Sequence, residues 1–450
     1  MTEIIRQKLS ESKAARWTAL LIVSITMMFA YFFTDVMSPL EPLLTAAKDQ
    51  GGLGWSSDDY GFFSGSYGFF NVFLLLLFFG GIILDKFGIR FTGILSTALM
   101  FGGALIKWYA VGHQFEGALF GYQMQVIIAC LGFAIYGVGC EIAGITVSKV
   151  IVKWFTGHEL ALAMGVQVGL ARLGTAGALS FALPFAESMG KSVAAPVGLG
   201  AALLCIGMIA FIVYNIMDKK EDKAAAEVAT EPEEGFKFSD LKFLFTNKGF
   251  WYITLLCLMF YAGVFPFLKF ATKIMVIKYG VDPNVAGSIP SVLPYGTIVL
   301  TPLFGWIYDR IGKGATLMII GSVLLTLVHV VFALPVTQVA VAICMMVILG
   351  VAFGLVPSAM WPSVPKIIPM QLLGTAYAVI FYIQNIGLSL VPIWIGKVNQ
   401  ANTNAEGVID YTDTMTIFAG FGVIAIIIAV LLLMEDKKKG YGLEQANIQK

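Results

Sequence analysis

Twelve apolar runs, each long enough to cross a bilayer, follow one another along this chain of 450 residues. They lie at roughly 17–41, 59–80, 91–112, 122–152, 159–186 and 194–217, then 249–278, 285–308, 315–335, 339–364, 371–398 and 412–434. A hydrocarbon core needs about 20 helical residues to span it, and lipid offers the backbone no hydrogen-bond partner outside a helix or closed barrel. The runs predict an all-α membrane protein with twelve transmembrane helices. Composition agrees, with 58% hydrophobic residues, 13% charged residues and a mean hydropathy of +0.83. A soluble domain carries about 25% charged residues, so this surface must mostly face lipid.

The longest polar interruption, from Asp218 to Lys248, follows the sixth run. It predicts an N-terminal six-helix half at 1–217, a linker at 218–248 and a C-terminal half with a short tail at 249–450. With both termini placed in the cytoplasm, 21 lysines and arginines fall on inner segments. Only five (Lys48, Lys107, Lys191, Lys278 and Lys397) fall on outer loops or outer helix ends. That bias sets the orientation. The first run is too long for a cleaved signal. The chain has no Asn-x-Ser/Thr acceptor, which points to a bacterial inner membrane. A net charge of +1 gives no reason to expect nucleic acid. The five cysteines and three histidines are scattered, so neither a metal nor a cofactor is expected.

One short pattern occurs twice. Gly81-x-x-x-Asp85-x-x-Gly88-x-Arg90 matches Gly305-x-x-x-Asp309-Arg310-x-Gly312-Lys313, with the aspartates 224 positions apart (309 − 85). Each copy links two apolar runs on the inner side. The glycines allow close helix packing and a sharp turn. Asp85 with Arg90, and Asp309 with Arg310 or Lys313, are expected to latch the two halves there. At this point the chain resembles the major facilitator superfamily, whose inner-loop motif the first copy is similar to. The resemblance implies two six-helix halves, a central cavity and alternating access.

Charges inside the apolar runs need a reason, because each costs several kcal/mol in lipid. Glu141 precedes Lys153 by 12 residues and Arg172 follows His158 by 14, placing them ~18 Å and ~21 Å above the inner surface at about 1.5 Å per residue. They arrive at one depth on neighbouring helices, positioned to pair with each other or with the two ends of a zwitterion. Asp35, near the outer end of helix 1, suits binding an amine, carrying a proton or capping the helix. Lys107, Lys269 and Lys273 are expected to snorkel to the interface. Helix 10 is expected to break at Pro357, Pro362 and Pro365, around Trp361. Helix 11 offers Tyr377, Gln384 and Asn385, with helix packing a rival role for Asn385.

Longer stretches narrow the resemblance. Glu141-Ile-Ala-Gly through Lys153-Trp154-Phe155 to Ala171-Arg172-Leu-Gly174, Val264-Phe265-Pro266-Phe267, and Trp361-Pro362 through Tyr377 to Gln384-Asn385 are similar to the lysosomal dipeptide carriers of that superfamily. In those carriers a helix-4 acid and a helix-5 arginine are taken to hold the peptide termini, which implies Glu141 and Arg172 here. The expected function is uniport of dipeptides, with proton symport and an organic-anion or sugar-acid carrier as alternatives. No enzymatic motif occurs within the helices, and the expected partners are a small-molecule solute and the lipid bilayer. A monomer is expected, with an accessory subunit left open.

Overall fold

The structure is a computed structural model that describes residues 9–155, 160–225, 245–369 and 373–446. Helix 1 is Lys13–Asp35, helix 4 Met124–Phe155, helix 5 Leu160–Ser188 and helix 6 Ala194–Ala225. Helices 7 to 12 are Lys248–Tyr279, Ser288–Ile311, Gly314–Ala333, Val339–Ile367, Leu373–Ala401 and Thr412–Lys439. Among the described residues eleven helices are individually long and apolar enough to span a membrane. The twelfth, helix 2, is broken into Ser57–Ser66, Phe69–Phe73 and the start of Leu76–Gly112. That last element continues as helix 3 beyond Gly88, whose φ of 77° and ψ of 174° end the helical path. The break at Leu75 puts a leucine in the left-handed region at φ 55°, a conformation that costs a non-glycine residue roughly 1–2 kcal/mol.

Three boundaries differ from the sequence reading. Helix 1 ends at Asp35, six residues before the expected 41, because Pro39 has no N–H to continue the ladder. The short helix Glu41–Thr45 then lies beyond the span. Helix 6 runs to Ala225, so the first eight residues assigned to the linker are helical, while 226–244 lie outside the described residues. Helix 10 continues through Pro357, Pro362 and Pro365. Proline at 365 leaves the carbonyl of Trp361 without its helical donor, and the Tyr377 hydroxyl supplies one at 3.3 Å.

Both repeated loops turn at the same glycine. Gly88 and its counterpart Gly312 each adopt a positive φ, 77° and 76°. Gly81 and Gly305 differ from expectation, for a Cβ added at either would meet nothing within 4 Å. The expected latch is also absent from these charges. Arg90 Nη1 pairs with Asp218 at 3.3 Å and Asp222 at 2.6 Å, and Lys153 Nζ lies 2.6 Å from both carboxylates. All four residues belong to one half. The side chain of Asp85 lies outside the described residues. Arg310 stacks over Trp306 at 4.5 Å on the last turn of helix 8, beside Asp309. Lys313 Nζ is 3.8 Å from Glu444 of the tail, again within one half.

Asp218 is 2% exposed and Asp222 44%. Removing the buried carboxylate strands two cations, whereas water replaces the exposed one. Asp218→Asn is therefore expected to lower the melting temperature of the detergent-solubilised protein clearly more than Asp222→Asn. Equal effects in a thermal-shift measurement would contradict this.

The tail is part of the C-terminal half. Leu443 is fully buried, and Glu444 accepts from the backbone N–H and hydroxyl of Thr316 at 2.9 and 2.8 Å. Its carbonyl and that of Leu443 accept from Lys313 and Gly314. These contacts satisfy free donors in the first turn of helix 9.

The halves meet in a tight seam on the face opposite these loops. A Cβ on Gly61 of helix 2 would sit 2.7 Å from the Cα of Gly396 on helix 11, and one on Gly287 would sit 2.0 Å from the Leu179 carbonyl of helix 5. Ser389 donates to the Gly65 carbonyl at 2.8 Å, and Gln400 accepts from the Ser57 N–H at 3.0 Å.

Candidate functional site

Beneath the seam lies a cavity of about 370 Å³ walled by both halves, within the size range of small-molecule sites. Glu141 from helix 4 and Arg172 from helix 5 both line it. The opposite directions of these helices bring residues 31 apart in sequence to one wall. Tyr67 donates to Glu141 Oε1 at 2.8 Å. Helix 2 can deliver that hydroxyl because its path is broken just beyond. The guanidinium of Arg172 lies among three rings, 5.6 Å from Tyr31 and 5.2 Å from both Phe265 and Phe353. Aromatic faces attract a cation without neutralising it. No carboxylate lies within ion-pair distance of Arg172 among the described residues, and none joins it to Glu141.

Asp35 also lines the cavity but is already engaged. Lys269 of helix 7 reaches it across the halves at 2.6 Å, and the Thr175 hydroxyl donates to it at 2.8 Å. The snorkelling expectation fails for all three lysines. Lys269 Nζ also donates to the Thr34 carbonyl at 3.1 Å. Lys107 is fully buried and donates to the Phe33 carbonyl at 3.3 Å, with its ammonium 4.0 Å from the Phe33 ring and 4.3 Å from that of Phe133. Lys273 is 6% exposed and faces Glu41. The cause is the early end of helix 1. Its last carbonyls are unpaired and carry the negative end of the helix dipole, so ammonium groups gather there.

Trp361 and Gln384 line the cavity from the second half. Trp361 Nε1 donates to the Tyr261 hydroxyl at 3.2 Å, and its ring stacks on Phe381 at 5.1 Å. Gln384 Oε1 accepts from Cys257 Sγ at 3.4 Å. Tyr377 supports Trp361 through the carbonyl contact described above. Asn385 is 1% exposed and donates to the Phe381 carbonyl at 3.0 Å, so helix 11 itself uses its amide. Sequence reasoning missed Tyr67, Tyr31 and Phe353. Aromatic residues are too frequent in such a chain to single these out, and their roles come from helix contacts across the bundle.

Twelve helices in two like halves, closed around a cavity with opposite charges on its wall, define a two-half helical membrane transporter. A family model described as Major Facilitator Superfamily matches residues 21–392, and the chain belongs to that superfamily. Among curated relatives, the lysosomal dipeptide transporter MFSD1 of Danio rerio is 28% identical over 380 residues, covering 82% of this chain and 77% of its own. The Homo sapiens protein of that name is 28% identical over 336 residues, covering 72% and 69%. Among solved structures, the nucleoside transporter NupG aligns with a TM-score of 0.68 at 17% identity, over 93% of this chain and 98% of that one. The peptide transporter POT in complex with sulfate aligns at 0.66 and 13% identity, over 94% of each chain. These structural likenesses concern the fold.

Proposed function

We propose that this protein carries dipeptides and similar small zwitterions across the membrane by alternating access of its two halves. The observation that carries the reading is the unpaired state of Glu141 and Arg172 on one cavity wall. Two opposite charges that leave water without neutralising each other are costly. A dipolar solute with an amine at Glu141 and a carboxylate at Arg172 would offset that cost. The printed name of the curated relatives supports the same solute class. Trp361 and Gln384 would complete the pocket, and Tyr377 and Asn385 would hold its wall in shape. Uniport is favoured over proton symport because Asp35, the other cavity acid, is occupied by Lys269 and Thr175.

The lysine and arginine bias places the face bearing the repeated loops in the cytoplasm. The seam then closes the outer side. The repeated-loop residues Gly81, Asp85, Gly88, Arg90, Asp309 and Arg310 would act as the inner gate in the opposite conformation. The absence of a glycosylation acceptor and of an acidic-dileucine signal from the sequence supports a cell membrane. The unit that works is taken to be the monomer.

Counterflow in proteoliposomes tests the function. Dipeptides are expected to exchange without a pH gradient, and simple carboxylates or sugar acids are not. Glu141→Gln should keep the hydrogen bond from Tyr67 while losing the charge that holds an amine, reducing dipeptide counterflow at least about tenfold. Exchange of organic anions that depends on Arg172 but not on Glu141 would replace the dipeptide reading with the anion one.

A further inference from the structure

Glu41 takes no part in the solute site, yet it is fully buried on the outer seam. It opens the short helix beyond the end of span 1. Neither of its carboxylate oxygens has a hydrogen-bond partner among the described residues. Its ionic partner is Lys273 Nζ at 3.5 Å, across the boundary between the halves. Lys273 lies four residues beyond Lys269 on helix 7, so both lysines share the helix face that meets the first half. The other titratable groups within electrostatic reach are Tyr60 of helix 2 and Tyr411 before helix 12. The Tyr411 hydroxyl is itself buried without a hydrogen bond, as is that of Thr272. Glu41 therefore shares the closed seam with groups that do not solvate a charge.

One ammonium at that distance does not replace the hydrogen bonds a carboxylate makes with water. Burial accordingly raises the Glu41 carboxyl to about 7, against the lowering influence of Lys273. When the seam opens, water reaches Glu41 and restores the ordinary value of about 4.3. The closed state has the higher value, so it binds the proton more tightly, and acid favours closure. We propose that Glu41 is the proton-binding residue of the outer gate, which takes up one proton from outside as it closes and returns it to that side as it opens. The inference rests on the alternating-access reading but not on the identity of the solute. Glu41 does not line the cavity, so its proton is not handed to the inside with the solute. External pH then sets the balance of conformations without driving transport.

The test is the distance between spin labels on the outer loops at Met189 and Val408, with the more exposed Cys205 and Cys344 replaced, read by double electron–electron resonance without solute. The closed-to-open ratio is expected to rise up to tenfold per unit as pH falls from about 7 towards 5, and to stay flat above about 8. Glu41→Gln should favour the closed distance at every pH and abolish the slope. Infrared difference spectra of the unsubstituted protein at pH 6 should show a protonated-carboxyl band belonging to the closed state, which tests the idea even if that variant misfolds. Exchange between two distances with no pH slope overturns the role of Glu41 alone. A persistent slope in Glu41→Gln does the same. A single distance at every pH overturns both this proposal and alternating access.

Discussion

Arg172→Ala is expected to abolish dipeptide counterflow while the protein still inserts and folds. Losing one side of a desolvated charge contact costs about 2–5 kcal/mol, or roughly 30-fold to several-thousand-fold in binding. Stability should change little. The guanidinium has no carboxylate partner whose charge would be orphaned, and only the cation–π contacts with Tyr31, Phe265 and Phe353 are lost. Those contacts are worth about 0.5–2 kcal/mol. That contrast separates a solute-binding arginine from a structural one, whose removal would lower the melting temperature strongly. Arg172→Lys should recover only part of the activity, because an ammonium lacks the planar fork that grips a carboxylate twice. Normal dipeptide uptake by Arg172→Ala would remove the pocket assignment.

The second large effect is expected at Gly61. A methyl group there would lie 2.6 Å from the Pro392 carbonyl oxygen and 2.7 Å from the Gly396 Cα. Both contacts are with backbone and cannot relax by a change of side-chain rotamer. Such overpacking costs about 1–3 kcal/mol, but only while the seam is shut. Gly61→Ala should therefore shift the protein towards the open-seam state by roughly 5-fold to 150-fold and slow transport. A cysteine introduced at the cavity residue Ser64, buried in the closed form, would report it by faster reaction with an impermeant thiol reagent added outside. Unchanged labelling together with unchanged transport would show that the seam need not shut this tightly.

The spans are readable in the sequence because lipid permits so few backbone arrangements. Apolar length alone locates eleven helices to within a few residues at most ends. Helix 2 is the exception in form, since nothing in Phe73 to Leu77 announces a left-handed leucine. The depths of Glu141 and Arg172 follow from helical rise, and both residues reach the cavity. The lysines depart from expectation for an equally physical reason. Snorkelling assumes that water is the best available partner. Here the early stop of helix 1, forced by Pro39, offers free carbonyls, and Asp35 and Glu41 add charge. Arg90 does not latch the halves, because helix 6 extends far enough to bring Asp218 and Asp222 to it. The length of that extension is not visible in a charged segment without apolar periodicity.

The anchored tail has a consequence for biosynthesis. Helix 9 begins at Gly314, yet the groups that satisfy its first amides belong to Leu443 and Glu444, about 130 residues later. Translation delivers the helix long before its cap. Until the last residues leave the ribosome, that end of the nascent bundle has to rely on water at the cytosolic surface, and only release of the finished polypeptide lets the second half settle.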